Sequence, residues 1–173
     1  KSLEQTLGTP AAPLDVRLVY DVCHNIAKFE MHEINGERRR LCVHRKGATR
    51  AFPGDREEVP DAYRHVGQPV LVPGDMGTGS WVCAGTGKAM RETFGSACHG
   101  AGRVMSRTSA RKGENAAALL RELEEQGVIV MARSKKTVTE ESPSAYKDID
   151  AVTAVLDTAG IARRVARIRP TGV

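Results

Sequence analysis

A histidine stands at the centre of a run of small residues, Gly95-Ser96-Ala97-Cys98-His99-Gly100-Ala101-Gly102-Arg103. Small side chains let the backbone pass close to a ligand, and the exposed amides of such a turn bind anions. Arg103, Ser106 and Arg107 follow at helical spacing. An anion at that helix start would meet amides and guanidinium groups together. An imidazole placed there faces phosphorus. With an unperturbed pKa of about 6.5 it is largely neutral near pH 7, and so a competent nucleophile. Taken alone, the stretch also has the form of an ordinary glycine-rich turn with an incidental histidine.

Other groups invite similar readings. Val72-Pro73-Gly74-Asp75-Met76-Gly77-Thr78-Gly79-Ser80 is a strand running into a glycine-rich loop. It suits a phosphate or a base, but lacks the Gly-Lys-Ser/Thr ending of a P-loop, and an ordinary loop has the same spacing. Asp21-Val22-Cys23-His24-Asn25 places an imidazole and a thiol, both metal-ligand types, just past an expected strand end. One histidine does not make a metal site. His44-Arg45-Lys46-Gly47 with Arg50 is a compact basic group, suited to phosphate or simply to solvent. His32 and His65 have no motif around them and read as surface residues.

The elements that must position these groups point to an α+β chain with mixed sheets. Residues 1–13 read as loop, and Leu14 to Tyr20 alternates like a strand. Ile26 to Ile34 and Arg38 to Val43 flank Asn35-Gly36, which predicts a β-hairpin over about 26–43. Pro53 to His65 is loop-like. Pro69 to Val72 and Ser80 to Ala84 read as short strands, and Thr86 to Phe94 as a short helix. Helices are expected at about 104–111, 115–126 and 148–156, with Gly127 stopping the second. Val128 to Met131 reads as a strand, and Ile161 to Ile168 as a strand or helix.

The chain has 173 residues, enough for one domain with a core, and a formal charge of +5. A basic excess suits a polyanion such as nucleic acid, although a solvated basic surface produces the same number. Aromatics are 4% of the residues, which argues against base-stacking platforms and for contacts to phosphate and sugar. The four cysteines, Cys23, Cys42, Cys83 and Cys98, form no CxxC pair and read as reduced thiols of a cytoplasmic protein. No apolar run reaches the length of a membrane span.

In order along the chain, Val19 to Lys28, Val43 to Phe52, Val72 to Gly77, Cys98 to Arg103 with Ser106-Arg107, and Glu141 to Asp148 together resemble the RtcB family of tRNA-splicing ligases. The resemblance covers nearly the whole chain and implies an RtcB-like fold. It implies a GTP- and manganese-dependent RNA ligase that joins 2′,3′-cyclic-phosphate or 3′-phosphate ends to 5′-hydroxyl ends, as in tRNA splicing and RNA repair. On that basis His99 is the catalytic nucleophile, which takes a guanylate from GTP. His24 is a manganese ligand. His24, Asn25, Pro73, Gly74, Asp75, Met76, Ser80, His99, Gly100, Ala101 and Gly102 form the nucleotide surroundings. Arg103 and the group around Lys46 hold phosphates. The implied partners are tRNA halves or broken RNA, with archease as a possible helper.

The resemblance leaves out most of the family's metal ligands and the short Lys-Gly tail whose lysine contacts the guanine. Of the family's metal ligands, His24 alone has a counterpart; an aspartate, a cysteine and two histidines from a longer N-terminal part have none. Residues 1–173 are therefore expected to be a single partial domain, the C-terminal portion of such a ligase, unable to seal RNA without the N-terminal half. The alternative is a non-catalytic RNA- or nucleotide-binding module derived from the same family.

Overall fold

Asn35 and Gly36 both take positive φ, 54° and 81°. That backbone makes the tight turn that right-twisted strands require. Strands β1 (Asn25–Ile34) and β2 (Glu37–Lys46) accordingly pair antiparallel, from Ile34 opposite Glu37 to Asn25 opposite Lys46. The hairpin is longer than its hydrophobic pattern predicts, because backbone pairing continues through polar positions. These observations come from a computed structural model, which describes residues 17–173 together with Gln5 and Gly8.

Two three-residue strands were not expected from the sequence. β3 (Ala48–Arg50) pairs antiparallel with β6 (Ser96–Cys98), with Ala48 opposite Cys98. Three positions are too few for alternation to register. Between them in the chain lie β4 (Pro69–Asp75) and β5 (Gly79–Gly85). With β7 (Ala162–Ile168) they form an antiparallel sheet of order β4-β5-β7. Pro73 is tolerated inside β4 because that strand is at the edge, where a missing N–H breaks no ladder.

The helices begin where side chains cap them. Thr86 accepts from the Ala89 N–H at the start of α1 (Gly87–Thr93). Ser106 caps α2 (Arg107–Gly113), and Asn115 caps α3 (Ala116–Glu125). Each cap satisfies amides that the first turn leaves free. α2 begins three residues later than the expected start at Val104, whose N–H instead donates to Ala145 O at 2.9 Å. The short α4 (Lys135–Glu140) was not expected. α5 (Ile149–Thr158) starts at its Asp148 cap.

Two expected strands are corrected. Val128 to Met131 forms a single parallel bridge, Ile129 to Gly172, rather than a strand. Residues 17–20 have no regular structure, while Leu14 to Val16 and the expected loop over 1–13 lie outside the described residues, apart from Gln5 and Gly8. Side-chain contacts anchor the segment instead: Tyr20 and Tyr63 meet edge to face at 5.4 Å, and the Tyr63 hydroxyl donates to Val19 O.

A larger core gathers Val70, Val72, Cys83, Ala89, Ala97, Ala101 and Ile149, and a smaller one gathers Leu119, Leu123, Val128 and Val138. His32 is not a surface residue: it is 3% exposed, against Glu30 at 5% and Arg45 at 2%. Arg45 grips Glu30 with two bonds of 2.8 Å and also donates to Ser96 Oγ at 2.9 Å and Phe94 O at 2.9 Å. One guanidinium thus ties the hairpin to the segment entering β6.

Gly95 closes that segment at φ 62°, and a Cβ there would lie 2.4 Å from the Phe52 ring. Left-handed backbone and overpacking act together on any side chain at this position. Gly95→Ala is expected to cost about 2–4 kcal/mol, read by chemical denaturation; a loss under 1 kcal/mol would show that the Phe52 contact yields.

Candidate functional site

β6 delivers His99 and β1 begins just after His24. The β3–β6 pairing and the hairpin bring them together. The imidazoles stack with ring centroids 4.6 Å apart and 6° between their planes. Gly47, at φ 71°, turns the chain from β2 into β3, and its N–H donates to His24 O at 3.2 Å. A Cβ at Gly47 would lie 3.6 Å from the His99 ring. Glycine here supplies the turn and leaves the imidazole edge uncrowded.

Burial, followed by repulsion from His24 and Lys46, holds the His99 imidazole below the ordinary histidine value. That direction favours the neutral ring, the form of an imidazole that can act as a nucleophile. Lys46→Gln is expected to move the His99 titration upward, followed by NMR of the ring protons. An unchanged midpoint would remove Lys46 from the electrostatics of the site. Cys98 competes poorly as a nucleophile, since burial pushes its thiol up. Burial pushes the Cys83 thiol up to about 11.

The turn after His99 is anchored to the glycine-rich loop. Ala101 N–H donates to Pro73 O at 2.9 Å, and a Cβ on Gly100 would lie 3.1 Å from that oxygen. Ala101 is 4% exposed, with its methyl in the core and its N–H committed. It therefore fixes the turn rather than offering a donor. Gly102, at φ 74°, accepts from Lys147 N–H at 2.9 Å.

Pro73, Gly74, Asp75, Met76 and Ser80 line one cleft of about 230 Å³, together with Glu141, Tyr146 and Val173. Asp75 holds the loop: Oδ1 accepts from the Gly77 and Thr78 amides, both at 2.9 Å, and Oδ2 from Thr78 Oγ1 at 2.6 Å. Asn25 is exposed at the start of β1, opposite Lys46. Glu141 and Tyr146 were given no role from sequence. They lie in the last stretch of the resemblance, which was the available signal.

Three basic side chains expected at phosphate are committed elsewhere. Arg103 donates to Glu141 at 3.1 Å and to the Tyr146 hydroxyl at 3.0 Å, and lies 4.8 Å above the Tyr146 ring. Arg45 is buried against Glu30, as described, and Arg50 donates to Gln68 Oε1 at 3.1 Å. Tyr146 also donates to Glu141. Burial tends to raise the Glu141 carboxyl, but hydrogen bonds from Tyr146 and Arg107 and the charge of Arg103 outweigh it and leave it below the ordinary range. Lys46 is the exposed cation beside His99.

Among the described residues no group of three histidine, cysteine, aspartate or glutamate side chains could hold a metal ion. His24 offers one imidazole. The described residues therefore do not by themselves fit a manganese centre, which draws on several ligands. No helix among them is long and apolar enough to cross a membrane.

Stacked histidines on a glycine-lined turn, tied to a loop-walled cleft, define a histidine-centred site on an antiparallel α+β scaffold. The family model described as "tRNA-splicing ligase RtcB" matches residues 1–173. The chain is 53% identical over 173 residues to the tRNA-splicing ligase RtcB of Thermococcus kodakarensis, covering 100% of this chain and 36% of that protein. It is 51% identical over 173 residues to that of Archaeoglobus fulgidus, covering 100% of this chain and 36% of the relative. To the Pyrococcus horikoshii protein it is 55% identical over 164 residues, which is 95% of this chain and 19% of the relative. The chain belongs to the RtcB family. It spans about a third or less of the length of these relatives.

Proposed function

We propose that His99 is the guanylate-carrying nucleophile of a GTP-dependent RNA ligase. A lone pair on its imidazole attacks the α-phosphorus of GTP. A nitrogen–phosphorus bond forms as the bond to pyrophosphate breaks, and pyrophosphate leaves with the electron pair. The guanylate then passes to an RNA 3′-phosphate, and an RNA 5′-hydroxyl displaces GMP to leave the joined strand.

The observation that carries this reading is the position of His99. Its imidazole, held below the ordinary histidine value by burial, stacks on His24, and the Ala101 N–H to Pro73 O bond ties the turn that follows it to the cleft of Pro73 to Met76 and Ser80. The cleft walls suit the nucleotide, Gly47 leaves room for an approaching phosphate, and Lys46 supplies a nearby positive charge. A bound manganese ion would polarise the phosphoryl oxygens. His24 would be one of its ligands, with the others supplied from outside the described residues. The relatives are named for tRNA splicing, so RNA ends are the proposed substrate.

The test is peptide mapping after incubation of the protein, expressed from its complete reading frame, with GTP and manganese. One guanylate on His99 is expected. An adduct on another residue would overturn the assignment. Retained GTP binding with no adduct would favour a nucleotide-binding module without catalysis.

A further inference from the structure

We propose that the outward face of the β1–β2 hairpin is a docking ribbon for the single-stranded end of an RNA, with Phe29 stacking an unpaired base. The proposal rests on the reading of His99 as part of an RNA ligase and adds a substrate-binding surface to it.

Residues directly opposite in an antiparallel pair share a face, and successive pairs alternate. Glu30 and Arg45 define the inward face. The other face carries the pairs Asn25–Lys46, Ala27–His44, Phe29–Cys42, Met31–Arg40 and Glu33–Arg38. All of these are exposed except Met31, which is half-buried. Phe29 is 66% exposed, a large apolar ring held in water at the middle of a strand. The guanidinium of Arg40 lies over it, 4.5 Å from the ring centroid.

Charge selects the occupant. Lys46, Arg40 and Arg38 are cations and His44 is a potential one, against the single carboxylate of Glu33. Among the described residues no carboxylate forms an ion pair with Arg38, Arg40 or Lys46. An aromatic ring joined to guanidinium groups is a surface on which bases stack while phosphates are neutralised. A protein partner docking by apolar contact would meet several uncompensated cations, each costly to bury.

The ribbon is continuous with the site. Its first pair, Asn25–Lys46, adjoins His24 and Gly47 beside His99. Phe29 stands four positions along the strand from Asn25, about 13 Å at the usual rise. That is roughly four stacked nucleotides at about 3.4 Å each. The ribbon would hold one strand a few nucleotides from the end being sealed. The low aromatic content does not count against this, because a single exposed ring in the right place suffices.

The experiment measures binding of a fluorescein-labelled 20-nucleotide single-stranded RNA with a 3′-phosphate to the protein from its complete reading frame. Phe29→Ala and Arg40→Ala should each raise Kd at least about fivefold, while Phe29→Trp retains binding. Arg38→Ala should lower the slope of log K against log salt by about 0.7. Guanylate transfer to the protein from GTP, without RNA, should be unchanged in Phe29→Ala. Binding within twofold of the unsubstituted protein in both alanine variants would overturn the ribbon. So would joint loss of thermal stability, adduct formation and RNA binding in Phe29→Ala, which would mark the face as covered by protein. If the unsubstituted protein forms no adduct, the reading of His99 fails, and the RNA Kd series still decides the ribbon.

Discussion

His99→Ala is expected to abolish the guanylate adduct and to lower RNA sealing by about 10³-fold or more, as removal of a covalent nucleophile does. The protein should remain folded. His99 is half-buried, packs its ring on His24 and lies outside both core clusters, so the stability change should stay within about 0.5–1 kcal/mol. That separation makes the experiment decisive. Loss of adduct with an unchanged melting curve identifies chemistry; loss of both together identifies a structural histidine. His24→Ala provides the comparison. It removes the stacking partner and the proposed metal ligand but leaves the nucleophile, so adduct formation should fall less completely than in His99→Ala. Equal and complete loss in both would leave the nucleophile unassigned between them.

Arg45→Leu is expected to destabilise the fold by about 3–5 kcal/mol. The substitution strands the Glu30 carboxylate, 5% exposed, without its charge partner and releases Ser96 Oγ and Phe94 O. The double variant Glu30→Leu with Arg45→Met removes both charges and should lose clearly less than the sum of the two single changes. If the losses simply add, the pair is not coupled. Because Arg45 also braces the entry to β6, Arg45→Leu should impair adduct formation more than its stability loss predicts, by loosening His99 against His24.

The same pair sets an acid limit. Burial would raise the Glu30 carboxyl, but hydrogen bonds from Arg45 and His32 outweigh it and hold the group below its ordinary value of 4.5. A depressed carboxylate contributes stability that is present above pH 4.5 and is lost as pH falls through the folded value. Denaturation midpoints should therefore drop more steeply below pH 4.5 in the native protein than in the double variant.

The sequence alone revealed those features whose cause is local. Asn35-Gly36 marked the hairpin because few other pairs accept positive φ twice in succession. Thr86, Asn115 and Asp148 stood where helices begin because their side-chain oxygens capture free amides. The order of the motifs revealed the family and singled out His99 and His24 as candidates for its site. The signals failed where the cause was distant. β3 and β6 are too short to show a period and exist because they pair with each other across the chain. Val128 to Met131 had strand composition but gained no ladder.

What tertiary structure decided was which polar groups are free. Arg45, Lys46, Arg50 and Arg103 carry the same formal charge in the sequence. In the fold Arg45 is buried against Glu30, Arg50 is held by Gln68, and Arg103 is held by Glu141 and Tyr146. Lys46 remains beside His99. His32 lacked a motif and is buried; His24 and His99 are 75 positions apart and stack ring on ring. Residue type and spacing set what chemistry each side chain can do. Burial and pairing across the chain set which of them is left to do it, because a charge already satisfied inside the fold has nothing further to offer a ligand.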